Sequence, residues 1–402
     1  MPLIKEALEK IYLNTNPNTH LNKELFEASY NNFAHALIQG FGIPSYSTVL
    51  PSPDIELLSK LHQSAIYFTA RKTVLQVMQL TALLPNEEKG TTRSFAEFKK
   101  LSKGIIGSYN QEWLLTEYTT ATVSARVARQ WQGFLADADL YPNIKYLHTS
   151  SPNPRAEHEV YVGTVLPINH PWWLTHTPPI DWNCDCGITN TDEEPTELPE
   201  EQEPVPVVFQ NNPAISGELF NIPAHTYVTK TSLIPDAVIQ HELKTRILPE
   251  LKSYFPLYQN GENGSLAVHP AIAESEFKVN VKEGLILAKN GYHVQLQPER
   301  FTSGLKNPDA IINGIAADFK APTTKTAINT AIKAVAKQRC EIAVLAVSDI
   351  EKTVLADALR EALGNQEKNR LVQTVIIRYP DNTIVSFKRE EFRNREFATK
   401  LK

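Results

Sequence analysis

At 402 residues, 42% of them hydrophobic and 21% charged, the chain is long enough for two or three domains with separate cores. No apolar run approaches the roughly 18 residues of a membrane span, which excludes an expected role as an integral helical membrane protein. The net charge of −5 is uneven: residues 192–204 hold seven acids and no base, whereas 205–402 hold 25 Lys+Arg against 21 Asp+Glu. That excess of +4 is compatible with a nucleic-acid partner but too small to demonstrate one.

From Pro2 the chain moves directly into an amphipathic helical pattern, without the apolar region of a signal peptide. Three cysteines, two of them one residue apart, make no disulfide framework and favour a reducing compartment. Residues 1–140 read as mostly helical. Apolar residues recur at three- and four-residue spacing over 55–83 and 110–138, with Pro-rich or Ser/Gly-rich loops expected near 44–53 and 102–108.

A dense, irregular segment follows, holding three of the five tryptophans. It contains Arg155, His158, His170, Trp172-Trp173, Pro178-Pro179, Trp182 and the run Cys184-Asp185-Cys186. Two thiols and an imidazole are soft donors. His158, Cys184 and Cys186, with His170 or Asp185 as fourth donor, are candidates for a structural zinc site. The competing reading is a set of thiols and a histidine that merely pack in a loop-rich subdomain.

Taken as an ordered string, Arg155, His158, Trp173, Pro178, Pro179, Trp182, Cys184 and Cys186 resemble the signature of the phage Mu protein F-like head morphogenesis (minor capsid) family. Asp185 stands where that family usually has arginine. The resemblance implies a component added in few copies to a viral procapsid near the portal, and no catalysis in this part. Localisation to the virion or to the host bacterial cytoplasm is the corresponding expectation.

The acidic, Pro-rich tract that follows cannot bury a core and reads as an extended linker. The expected division is therefore a mainly α-helical domain over 1–190, a linker over 191–214 and an α/β domain over 215–402. In the last part, 215–270 shows short mixed segments, with a helix expected around 235–253. The pattern then becomes regular: a helix over 274–290 stopped at Asn290-Gly291, and a strand at 292–296. Next come a hairpin about Asn313-Gly314 and a helix over 324–338 with Thr323 or Thr324 as its cap. A strand buried on both faces at 341–347, a helix over 349–363 and strands at 371–378 and 383–388 complete it.

The hairpin carries the chemistry. Asn-Gly between apolar runs favours a two-residue type I′ turn, and counting outward pairs Ile312 with Ile315, Ile311 with Ala316, Ala310 with Ala317 and Asp309 with Asp318. Two carboxylates directly opposite repel unless a cation lies between them. Lys320 shares the face of Asp318, while Phe319 points away. Asp309 and Asp318 are thus candidate ligands for Mg²⁺ or Mn²⁺, with Zn²⁺ as an alternative and the Phe319 carbonyl as a third donor.

The order helix, three strands, helix, strand, with Pro308-Asp309 followed by Asp318-Phe319-Lys320, is similar to the αβββαβ core of restriction-endonuclease-like PD-(D/E)xK nucleases. Within that superfamily it resembles the C-terminal nuclease domains of contact-dependent inhibition toxins, some of which cut tRNA. The resemblance implies that Glu283 on the preceding helix orients water or completes a metal site, that Lys320 positions or deprotonates the attacking water, and that Gln338 orients water or backbone. It also implies tRNA or DNA as substrate and a cognate immunity protein as partner, beside the phage portal and capsid proteins of the N-terminal part. A rival of a different class is a structural minor capsid protein whose C-terminal domain binds nucleic acid or portal without cutting. Cys340 reads as a small core residue.

Overall fold

The structure, a computed structural model, describes residues 2–13, 19–42, 52–149, 151, 154–200, 203–252, 254–260, 263–298, 307–348, 350–365 and 367–402. The chain forms two compact units, Met1–Ser253 and Tyr254–Lys402.

In the first unit the expected apolar stripes become helices α1 (Pro2–Leu13), α2 (Lys23–Gly40), α3 (Ser52–Thr81), α4 (Phe95–Gly107) and α5 (Trp113–Ala136). Two of them, α2 and α4, start at side-chain caps that satisfy otherwise orphaned amides. Asn22 Oδ1 accepts from Leu25 N at 3.0 Å, and Ser94 and Glu97 cap α4 reciprocally. The stripe Ile4, Ala7, Leu8 and Ile11 of α1 packs on Leu25, Leu80, Leu84 and Phe98. The loop expected near 102–108 is instead helical. α4 runs to Gly107 and passes through a π-turn at Ser108–Glu112 straight into α5, because Tyr109 and Asn110 are buried there. Of the other expected loop, residues 43–51 lie outside the described residues.

A small antiparallel sheet follows, with β1 (Asn143–Leu147) between β2 (Val165–Pro167) and β3 (Gly187–Thr191). The acidic tract runs on from β3 mostly exposed, with Glu193 held 2.7 Å from Lys145 Nζ. It does not divide the molecule: the boundary falls at Ser253/Tyr254, some forty residues beyond the expected 214/215. The reason is burial of polar groups. Tyr227 donates to Glu117 Oε1 at 2.5 Å, and Lys72 Nζ, fully buried, lies 2.5 Å from Glu117 Oε2. Arg71 donates to the carbonyls of Thr231 and Ile234 and pairs with Asp236. Glu242 accepts from the amides of His20 and Leu21. A buried ion pair survives only when such partners complete it, so the segment after Pro204 is part of the helical unit. The helix expected over 235–253 is α-helical only at Asp236–Glu242, then π at Leu243–Ile247 and 3-10 at Leu248–Glu250.

The second unit is a mixed eight-stranded sheet. Strands β4 (Phe255–Gln259) and β5 (Ser265–Val268), unread in the sequence, precede helix α6 (Glu274–Lys289). Then come β6 (His293–Leu296), β7 (Ala310–Ile312), β8 (Ile315–Lys320), helix α7 (Lys325–Lys337), β9 (Ile342–Ala346), helix α8 (Lys352–Leu363), β10 (Thr374–Arg378) and β11 (Ile384–Lys388). Asp349, placed at the start of the helix in the sequence reading, lies outside the described residues. Every strand sits beside its sequence neighbours, in the order β4 to β11. β5/β6, β8/β9 and β9/β10 are parallel; the other pairs are antiparallel.

Register assigns the two faces. Leu266 and Leu296 meet α6 at Gly284, and the paired positions Ala310, Ala317, Ile342 and Thr374 share their side. The alternate residues, including Ala343, Leu345, Val375 and Ile377, form a core with Ile328 and Ile332 of α7 and Leu355 and Leu359 of α8. β9 is buried on both faces, as its apolar run predicts.

Candidate functional site

The Asn313-Gly314 turn has φ of +49° and +82°, the left-handed pair that a type I′ turn requires. Its register is the one counted from the sequence: Ile312 with Ile315, Ile311 with Ala316 and Ala310 with Ala317. Asp309 and Asp318 follow as the next positions outward, on the face that α7 covers. Phe319 N donates to Asp309 Oδ2 at 2.7 Å. Lys320 Nζ lies 2.8 Å from Asp318 Oδ2 and 3.9 Å from Asp309 Oδ2, and donates to the Phe319 carbonyl at 2.9 Å. Asp318 is buried, and its Oδ2 has the lysine charge beside it but no aligned hydrogen-bond donor. Burial, with Asp318 adding to it, pushes the Asp309 carboxyl up to about 7. Two carboxylates thus share one lysine, an oxygen-rich arrangement that could hold a divalent cation.

Gln338, at the end of α7, accepts from Asn307 N at 3.3 Å and so fixes the backbone two residues before Asp309. Glu283 is not brought to the aspartates. Its carboxylate is held by Arg378, with Nε at 3.1 Å, on the α6 face of the sheet. Arg378 pairs in register with Ala346, whose side alternates with that of Leu345 and Lys320. Sequence reasoning missed Gln297, which extends the β6–β7 ladder opposite Asp309, donating its amide to the Asp309 carbonyl at 2.9 Å. Its buried side chain bonds Tyr254. The signal was present in the alternation of Gln295 and Gln297 along β6. Cys340 belongs to the core, where burial pushes its thiol up to about 12.

In the first unit His158, Cys184 and Cys186, all buried, place their ligand atoms within 4.8 Å of one another. His158 lies on a single helical turn (Ala156–Glu159), fixed when Arg155 pairs with Asp181 and donates to the Trp182 carbonyl. The thiols immediately precede β3. Neither expected fourth donor joins them: Asp185 pairs with Arg126 of α5, and His170 Nδ1 accepts from Trp172 N. The acid at the position where the family signature has a base is thus matched by a base on the neighbouring helix. The signature tryptophans are structural, Trp173 lying edge-on to Trp131 with centroids 5.9 Å apart.

Residues 306–384, which contain the hairpin, Lys320 and Gln338, match the family model of the contact-dependent growth inhibition CdiA C-terminal domain. The chain thus contains a segment similar to a toxin C-terminal domain. A stretch of 75 residues is 33% identical to the putative capsid assembly protein F of Escherichia phage Mu, covering 19% of this chain and 17% of that protein. The chain therefore spans less than a fifth of that relative's length. A solved CdiA-CT/CdiI toxin and immunity complex from Burkholderia pseudomallei aligns with 22% identity and a TM-score of 0.23, over 28% of this chain and 85% of that one. The two resemblances seen in the sequence, one to a phage head protein and one to a contact-dependent inhibition toxin, are both matched. Among the described residues no helix is long and apolar enough to cross a membrane.

Proposed function

We propose that this chain is a phage or prophage head-morphogenesis protein carrying a C-terminal metal-dependent nuclease of the PD-(D/E)xK type, a toxin-like effector that hydrolyses phosphodiester bonds in tRNA or DNA. The observation that carries the reading is the convergence of Asp309, Asp318 and Lys320 on one face of a hairpin, with the Asp318 carboxylate buried and Lys320 Nζ 2.8 Å from its Oδ2. The match of this segment to a toxin domain family supports it.

The donor set is all oxygen and suits Mg²⁺ or Mn²⁺, held by Asp309, Asp318 and the Phe319 carbonyl. When bound, such an ion neutralises the charge that develops on the phosphate. Lys320 Nζ would exchange its contacts with the carboxylates for the attacking water, orienting it as a donor, and would take that water's proton only after giving its own to solvent. Gln338 holds the strand that presents Asp309. Glu283, clamped by Arg378 on the α6 face, would act by tying α6 to β10, so Glu283→Gln should lower thermal stability more than cleavage. The partners that follow are nucleic acid, phage portal or capsid proteins, and an immunity protein.

Incubating the full chain with tRNA and with duplex DNA, beside Asp318→Ala and Lys320→Ala, decides the reading. Cleavage is expected with Mg²⁺ or Mn²⁺ in the wild type and lost in both variants. Equal activity in all three proteins, or none with Mg²⁺, Mn²⁺ or Zn²⁺, sinks it and favours a structural minor capsid protein.

A further inference from the structure

We propose that His158, Cys184 and Cys186 bind one zinc ion, and that the fourth side of this centre is closed by the hydroxyl of Tyr146. The distances fit a tetrahedral ion. With Zn–S of about 2.3 Å and Zn–N of about 2.0–2.1 Å, ligand atoms around zinc stand about 3.6–3.8 Å apart. Cys186 Sγ and His158 Nδ1 are 3.7 Å apart, and the widest separation in the trio does not exceed 4.8 Å. Closing onto an ion therefore needs movements of well under an ångström per ligand. Two sulfurs and an imidazole favour zinc over the hard cations that suit the Asp309–Asp318 pair.

Tyr146 supplies the second, independent observation. It lies on β1, the central strand of the small sheet, is fully buried, and its hydroxyl has no oxygen or nitrogen partner. That hydroxyl faces the Cys186 and Cys184 sulfurs. A buried phenol left without a polar partner is costly unless a thiolate or a metal ion completes it. The site would add a metal tie among three segments already in contact: the turn carrying His158, the loop entering β3, and β1. The strands here are only three to five residues long, and a metal would reinforce the packing of Ile144, Val165 and Ile188.

The test uses the full chain carrying Asp318→Ala, so that the other candidate ion site is disabled and failure here says nothing about the nuclease. After reconstitution with Zn²⁺, one zinc per chain is expected, falling to none in Cys184→Ser or Cys186→Ser. Replacement by Co²⁺ should give a thiolate-to-cobalt charge-transfer band. Substoichiometric zinc together with no such band overturns the proposal, even if the cysteine variants fail to fold. Tyr146→Phe keeps the packing volume; it should bind zinc about tenfold or more weakly and alter the cobalt spectrum. An unchanged affinity and spectrum in this variant removes Tyr146 from the centre.

Discussion

Asp309 holds its proton more tightly in the folded protein than in the unfolded chain, with a carboxyl pushed up to about 7 from an ordinary 3.8. Unfolding between about pH 4 and pH 7 therefore releases a proton, so the metal-free protein loses stability as the pH rises through this window and levels off above it. The effect is on the order of 3 kcal/mol. Denaturant titrations in chelator at pH 5 and pH 8 should show it, and Asp309→Asn should flatten the difference. Ion binding displaces the same proton, so Mg²⁺ affinity should weaken as the pH falls below 7. Lys320 is the only cation placed between the two aspartates among the described residues. Lys320→Ala should cost about a hundredfold or more in cleavage. It should also lower the metal-free melting temperature, with added Mg²⁺ restoring much of the loss by taking over the charge compensation.

The β7–β8 hairpin converts a turn into the candidate site. Gly314→Ala puts a side chain at φ +82°, costing about 1–2 kcal/mol, and should reduce activity beyond the stability loss because the turn sets which residues face each other. Thermal unfolding and single-turnover cleavage, measured on the same variant, separate the two effects. This hairpin was legible in the sequence because its information is local: turn chemistry, period-2 alternation and a count of residues. The Thr324 cap, which accepts from Ala327 N at 3.2 Å, was legible for the same reason. Glu283 was placed in the site from a resemblance. What the sequence could not show was that Arg378, 95 residues later, lies on the same sheet face as α6 and takes its carboxylate. Strands β4 and β5 went unread because they are short and interrupted, with a bulge between Pro256 and Tyr258. Of the two, only β5 pairs with β6, and β4 is held as an edge strand by β5 alone.

At the scale of the whole molecule the acidic tract misled for an instructive reason. Composition reports what cannot form a core, and residues 192–204 do stay mostly exposed, but the chain beyond them returns to the first unit to complete buried charges. Truncation after Pro204 should therefore destabilise or unfold the helical unit, whereas a chain ending at Ser253 should retain it; thermal unfolding of the two compares them directly. Glu117→Ala, which strands the fully buried Lys72, should cost about 3–5 kcal/mol. The second unit has a different logic, since each strand pairs with the one made just before or after it. Contacts so close in sequence form quickly, on the timescale of hairpins and short crossovers. Asp309, Asp318 and Lys320 fall within twelve consecutive residues, so the geometry proposed for hydrolysis needs little more than this one hairpin to form. Under the nuclease reading proposed above, whatever restrains hydrolysis has to act from the moment that hairpin forms.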